Sequence, residues 1–112
     1  MSVALQAKLW YAQRISAMVL AVCVVVHLAI IVYAARGGLS AGEILGRTRG
    51  NVAFAAFYSL FVVACAVHVP IGLRSIAREW LRWRDGVATI AAVAVAIAIV
   101  ALGLRAVVAV TA

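Results

Sequence analysis

The sequence has few charged residues, and acidic ones are the rarest: three Asp and Glu stand against ten Lys and Arg in 112 residues. Charged residues make up 12% of the chain, whereas soluble domains carry about 25%. Hydrophobic residues make up 69%, and the mean hydropathy is +1.21. This composition excludes a soluble globular domain, because it cannot cover a water-exposed surface. It indicates a single domain, 1–112, whose solvent is a lipid bilayer.

The chain also lacks a disulfide framework and a site for covalent haem attachment. Its two cysteines, Cys23 and Cys65, lie deep inside apolar runs rather than in loops, and there is no CxxCH motif. Cys23 is four residues before His27, and Cys65 is three before His68, so each pair shares a helix face. A Cys2His2 zinc site is therefore an alternative. The different depths of the pairs and the cost of thiolates in lipid count against it.

Three apolar runs are each long enough to cross about 30 Å of hydrocarbon as a helix. They cover about 15–35 (ISAMVLAVCVVVHLAIIVYAA), 53–74 (AFAAFYSLFVVACAVHVPIGLR) and 87–110 (VATIAAVAVAIAIVALGLRAVVAV). The first could be a signal peptide. Its apolar region is too long for one, however, and Tyr33 fits poorly before a cleavage site. The sequence therefore predicts an all-α membrane protein with three transmembrane helices.

The two connections have different characters. The first, RGGLSAGEILGRTRG (36–50), is polar, and a short interfacial helix is expected around AGEIL. The second, SIAREWLRWRDG (75–86), is amphipathic and is expected to continue the second helix out of the membrane.

The net charge of +7 does not indicate nucleic-acid binding, because the basic residues lie at the ends of the apolar runs. One side of the membrane would hold six of them: Lys8, Arg14, Arg74, Arg78, Arg82 and Arg84. The other side would hold three: Arg36, Arg47 and Arg49. The positive-inside rule then predicts a cytoplasmic N-terminus in a bacterial-type cytoplasmic membrane. The three tryptophans, Trp10, Trp80 and Trp83, fall at the same boundary, as in an aromatic belt.

The only two histidines, His27 and His68, both lie inside the spans. Ionisable residues at membrane depth indicate function, and neutral imidazole is the usual axial ligand of b-type haem. Their depths differ by roughly 10 Å at 1.5 Å per residue, so each histidine would serve a separate haem, with the opposite ligand from a partner subunit. The alternative is that neutral histidines only hydrogen-bond between helices.

Two residues after His68 fit the same interpretation. Gly72 shares the helix face of His68 and would leave room for a flat porphyrin. Arg74 ends the span at the cytoplasmic edge, where haem propionates would need a counter-charge. The structural alternatives are a helix-packing notch for Gly72 and an interfacial anchor for Arg74.

Two stretches resemble the membrane-anchor cytochrome b subunits of succinate dehydrogenase and fumarate reductase, respiratory complex II. QRISAMVLAVCVVVH (13–27) is similar to the opening Arg-x-Ser motif of that family. HVPIGLRSIAREW (68–80) is similar to its His-x-x-x-Gly-x-(Arg or Trp) signature, which is followed by an acid and an aromatic residue. The resemblance implies that His68 is the haem ligand of most members, and that His27 matches a second ligand of two-haem members.

The resemblance also implies partners and substrates. Such an anchor pairs with a second three-helix subunit or a second copy, and together they form one helical bundle that holds one or two b haems. It docks an iron–sulfur subunit and a flavoprotein on its cytoplasmic face, and electrons pass between succinate and quinone. The family's quinone site maps to Arg14, with Ser16 and Trp80 nearby. The chain departs from the family pattern at Ala17, where glycine is usual, and at Trp10, where some members have serine.

The sequence contains no catalytic acid, nucleophile or flavin motif, so succinate oxidation would occur in another subunit. The chain would then be an electron-transfer anchor rather than a catalytic subunit. Two alternatives remain at this point. One is a haem subunit of another quinone-linked dehydrogenase. The other is a small non-redox membrane subunit with structural histidines.

Overall fold

The computed structural model describes all residues, 1–112, and consists of four helices without strands. They are α1 (Val3–Gly37), α2 (Ala41–Thr48), α3 (Val52–Glu79) and α4 (Asp85–Thr111). Helices α1, α3 and α4 are long and apolar enough to cross a membrane. This confirms the prediction of an all-α protein with three spans. Helix α3 packs against both α1 and α4, in a bundle of 49 × 23 × 22 Å.

Polar residues set the start of three helices. The side chains of Ser2, Ser40 and Asn51 each accept a hydrogen bond from a backbone N–H of the first turn of α1, α2 and α3. Such N-caps satisfy donors that a helix leaves unpaired. Helix α2 lies where the sequence predicted a short interfacial helix.

The helices extend beyond the predicted spans at one end of the bundle. Helix α1 starts at Val3, twelve residues before the predicted span, which adds about 18 Å at 1.5 Å per residue. Helix α3 continues to Glu79, as expected for the amphipathic second connection. The apolar runs mark the hydrocarbon layer, whereas the helices continue into the polar interface.

The N-terminus of α1, the C-terminus of α3 and the N-terminus of α4 lie together, and we call this the basic end. Residues from all three helices line one cavity there. At the opposite end, Thr48 Oγ1 donates a hydrogen bond to the Val110 carbonyl at 2.6 Å, and the Gly50 N–H donates to the Thr111 carbonyl at 2.8 Å. The connection between α1 and α3 therefore caps the last turn of α4.

Very little of the chain is buried inside the bundle. Only nine of 112 residues are buried, and large apolar side chains such as Met18 and Ile97 are 70% and 64% exposed. Small residues make the close helix contacts, with Ala88 and Ala92 buried on α4. So much apolar surface requires lipid or other membrane helices around it.

Candidate functional site

His68 on α3 is half-buried and lies against α1. Its Nδ1 atom is 3.3 Å from Oγ of Ser16, which is only 5% exposed. The histidine of the predicted signature thus contacts the serine of the predicted opening motif. The structure brings these two predicted site residues together, across two helices.

The hydrogen bonds of Ser16 are compatible with the His68 tautomer that carries its proton on Nδ1. The Ser16 hydroxyl donates its proton to the Gln13 carbonyl at 3.1 Å, the local bond that serine commonly forms inside a helix. With the hydroxyl proton in that bond, Ser16 Oγ accepts a hydrogen bond from Nδ1–H of His68. In a neutral imidazole this leaves the lone pair on Nε2, the form that binds a metal.

His27 on α1 sits in an aromatic cluster of α3. Its Nδ1 atom is 2.8 Å from the hydroxyl oxygen of Tyr58. The rings of Tyr58 and Phe61 lie edge-on to the imidazole, with centroid distances of 5.7 and 5.6 Å. The imidazole orientation is therefore fixed by one hydrogen bond and two ring contacts.

Both histidines keep Nε2 free of hydrogen bonds within the chain. The only side-chain nitrogen or oxygen that is buried without a partner is Oε1 of Gln13. Since neither Nε2 atom is bonded or sealed inside, both remain accessible at the surface of the chain. A ligating histidine usually has its Nδ1 atom in a hydrogen bond and its Nε2 atom open.

The two histidine sites lie at different levels of the bundle. Ser16, the partner of His68, is eleven residues before His27 on α1, which corresponds to about 16 Å along the helix. Two ligands of one iron must face each other across a few ångström, so these histidines cannot share one within a single chain. The structure also brings no three His, Cys, Asp or Glu side chains together that could hold a metal ion. The residues of the zinc alternative are thus not assembled.

Gly72 lies against α1, and the Arg74 side chain bonds to residues of α4. A Cβ atom on Gly72 would lie 3.2 Å from Nε2 of Gln13, so the space beside this glycine faces α1. Arg74 Nε donates to Thr89 Oγ1 at 2.9 Å, and its Nη2 forms an ion pair with Asp85. The bonds of Arg74 therefore go to α4.

No side-chain hydrogen bond joins the three residues predicted for the quinone site. Ser16 bonds His68, and Arg14 lies over the Trp10 ring at 5.3 Å from its centroid. Trp80, the C-cap of α3, is 79% exposed. Arg14 and Trp80 thus present exposed side chains at the basic end.

Sequence reasoning missed three polar side chains of these sites, namely Gln13, Tyr58 and Thr89. Each is a polar residue within or next to an apolar span, and that position could have singled them out. Their partners could not be read from the sequence, because they lie on other helices.

A family model described as succinate dehydrogenase/fumarate reductase transmembrane subunit matches residues 1–104. The match covers both stretches that carry the resemblance. No curated protein matches the chain, and no solved structure does.

Proposed function

Because the chain belongs to the succinate dehydrogenase/fumarate reductase transmembrane subunit family, we propose that it is the haem b-binding anchor of such a complex. In this role it carries electrons between an iron–sulfur subunit and membrane quinone. When bound, haem b supplies reversible one-electron chemistry. The flavoprotein partner would carry the chemistry of succinate or fumarate, since this chain has no group for it.

The observation that carries the proposal is the Gln13–Ser16–His68 chain of hydrogen bonds. It suits the His68 tautomer with a free Nε2 lone pair, which is what an axial ligand needs. His68 is accordingly our first haem ligand. Ser16 orients the imidazole and increases its electron donation by accepting a hydrogen bond from Nδ1–H.

His27 is proposed as the ligand of a second haem, nearer the opposite end. Its Nδ1 atom is engaged by Tyr58, and its Nε2 atom is free. The axial separation of about 16 Å from the His68 level supports two irons rather than one. The opposite ligands would come from a second anchor subunit or a second copy of this chain, which would also cover the exposed apolar faces.

Orientation and docking follow from charge. We propose that the basic end is cytoplasmic in a bacterial-type inner membrane, as the positive-inside rule requires. The iron–sulfur subunit would dock there, and the flavoprotein on it. The quinone head group would lie at the same end, near Arg14, Ser16 and Trp80, and the partner subunits would complete the pocket.

Gly72 and Arg74 have weaker support than the histidines. Gly72 leaves one position on the His68 face of α3 without a side chain. The nearest group to that position is the Gln13 amide. Arg74 could bind a propionate only by leaving Asp85 or by sharing it. Both residues stay in the proposal as haem neighbours, and each needs its own test.

The test is a reduced-minus-oxidised visible spectrum of the purified complex, with haem counted per copy of this chain. We expect His68→Ala and His27→Ala to lose different haems, with different absorption maxima. Loss of haem in His68→Ala alone would reduce the site to one haem and leave His27 a structural residue. A colourless wild-type complex that still contains its partner subunits would overturn the haem proposal.

A further inference from the structure

The cleft at the basic end contains an amide whose hydrogen-bonding groups are unused. It lies between the start of α1, the end of α3 and the start of α4, and Gln13 of α1 is one of its lining residues. The Oε1 atom of Gln13 is buried without a hydrogen-bond partner, whereas its Nε2 atom is neither hydrogen-bonded within the chain nor buried. The amide therefore has N–H donors on its accessible side and a free acceptor behind them.

The unpaired oxygen of Gln13 does not stabilise the fold. A buried carbonyl oxygen without a partner costs free energy, and an apolar side chain of the same length would avoid this cost. The amide nevertheless has a defined position. A Cβ atom on Gly72 would lie 3.2 Å from Gln13 Nε2, so the amide occupies the space beside this glycine. The Gln13 backbone carbonyl accepts from the Ser16 hydroxyl, one helix turn away. A polar group held in this way, without a partner in the chain, indicates a binding role.

The charged side chains of the cleft balance one another. Arg74 and Arg78 are matched by Asp85 and Glu79, and Asp85 forms ion pairs with both arginines. No net charge of these side chains therefore selects an ionic ligand. An uncharged ligand can bind beside them without displacing the ion pairs.

The wall next to Gln13 is apolar and aromatic. Trp10 lies three residues before Gln13 on α1, and Pro70 and Ile71 come from α3. Arg14 lies over the Trp10 ring, 5.3 Å from its centroid, so the cleft adjoins the residues proposed for the quinone head group. Ligand sites commonly combine apolar walls with a few polar groups that fix orientation. A flat, uncharged ring that carries carbonyl oxygens meets these conditions.

From this arrangement we propose that Gln13 hydrogen-bonds the quinone head group in both of its redox forms, an inference that rests on the quinone function proposed above. The carbonyl oxygens of the oxidised form only accept hydrogen bonds. Reduction adds two electrons from the iron–sulfur subunit and two protons from water at the basic end, and the carbonyls become hydroxyl groups that also donate.

The two groups of the amide match these two forms. Nε2 of Gln13 donates to the carbonyl of the oxidised form. After a half-turn of the amide, Oε1 accepts from the hydroxyl of the reduced form. The terminal torsion of glutamine is broad and roughly two-fold, and the turn breaks no hydrogen bond of Oε1 because this atom has none.

The test uses the complex as purified with its co-purifying subunits in a neutral detergent. Duroquinone is added to the oxidised complex and durohydroquinone to the complex reduced by dithionite, and equilibrium dialysis gives each dissociation constant. We expect Gln13→Leu to weaken the binding of both forms by about tenfold, the effect of one hydrogen bond. It should melt no lower than the wild type, because it removes the unpaired buried oxygen. Gln13→Glu, whose carboxylate only accepts, should weaken the binding of duroquinone but not of durohydroquinone.

Gln6→Leu is the matched control. Gln6 lines the same cleft, but its amide already donates to the Met1 carbonyl at 3.2 Å, and this variant should leave both dissociation constants unchanged. Equal effects of the two leucine variants, or equal loss of both quinone forms in Gln13→Glu, would overturn the role of Gln13 while the quinone function stands. A wild-type complex that binds neither form would overturn the quinone function, and this inference with it.

Discussion

Nδ1 of His68 and Oγ of Ser16 lie 3.3 Å apart, although 52 residues separate them in the sequence. The contact links the two motifs of the family through one hydrogen bond. It gives Ser16 a role as a positioning residue for His68, beside the quinone role that the resemblance implies. These two roles have different measurable consequences.

Replacing Ser16 by alanine separates the two roles. The variant removes the hydroxyl that lies 3.3 Å from Nδ1. Loss of the hydrogen-bond partner of a ligating histidine weakens a metal site by about 10- to 100-fold. We expect Ser16→Ala to lose the His68 haem more readily and to shift its midpoint potential. Haem retention during dilution and a redox titration would measure this.

The control for Ser16 is Ser75→Ala, an exposed serine near the end of α3. It should leave the spectrum and the potential as in the wild type. A Ser16→Ala variant with unchanged haem and a raised KM for quinone would instead assign the serine to the quinone site alone.

Tyr58 provides an equivalent test at His27. The substitution Tyr58→Phe keeps the ring contacts but removes the hydroxyl 2.8 Å from Nδ1. A buried donor or acceptor left without a partner costs about 1–3 kcal/mol. We expect a lower melting temperature in detergent and, if His27 ligates, loss of the second haem before the first.

Tyr33→Phe is the matched control, since Tyr33 is 69% exposed and its ring can still face Arg47. This variant should melt as the wild type does. Equal effects of the two substitutions would mean that the His27–Tyr58 bond contributes nothing specific.

The helices of this protein could be predicted from the sequence, whereas the contacts between them could not. Length and hydropathy identified the three spans, and the polar connection around AGEIL indicated the short helix α2. The spans are apolar on every side, however. No periodicity therefore indicates which face of α1 meets α3. The pairing of His27 with Tyr58 depends on helix rotation and depth, which only packing determines.

Arg82 is strained in the turn between α3 and α4. Its φ is +56°, and it is the only residue other than glycine with a positive φ. This conformation costs a non-glycine residue roughly 1–2 kcal/mol. We expect Arg82→Gly to increase the free energy of unfolding by about 0.5–1 kcal/mol, after the greater flexibility of glycine in the unfolded chain is subtracted.

Arg82→Ala is the appropriate comparison, because it removes the same charge but keeps a Cβ atom in the strained conformation. Thermal unfolding in detergent should rank glycine above alanine. If alanine stabilises the protein as much as glycine, the gain comes from removing the arginine charge and not from the backbone.

Gly103 fixes the distance between α3 and α4. A Cβ atom at this position would lie 2.6 Å from Cγ1 and 2.8 Å from Cγ2 of Val62. A β-branched valine in a helix is held in one strongly preferred rotamer, so it cannot easily move aside. Gly103→Ala must then push the helices apart, and overpacking of this kind costs about 1–3 kcal/mol.

Gly86→Ala on the same helix meets no atom within 4 Å and should stabilise α4 by roughly 0.5–1 kcal/mol through helix propensity. Melting temperatures of the two variants should therefore move in opposite directions, and a Gly103→Ala variant as stable as Gly86→Ala would contradict the close contact with Val62.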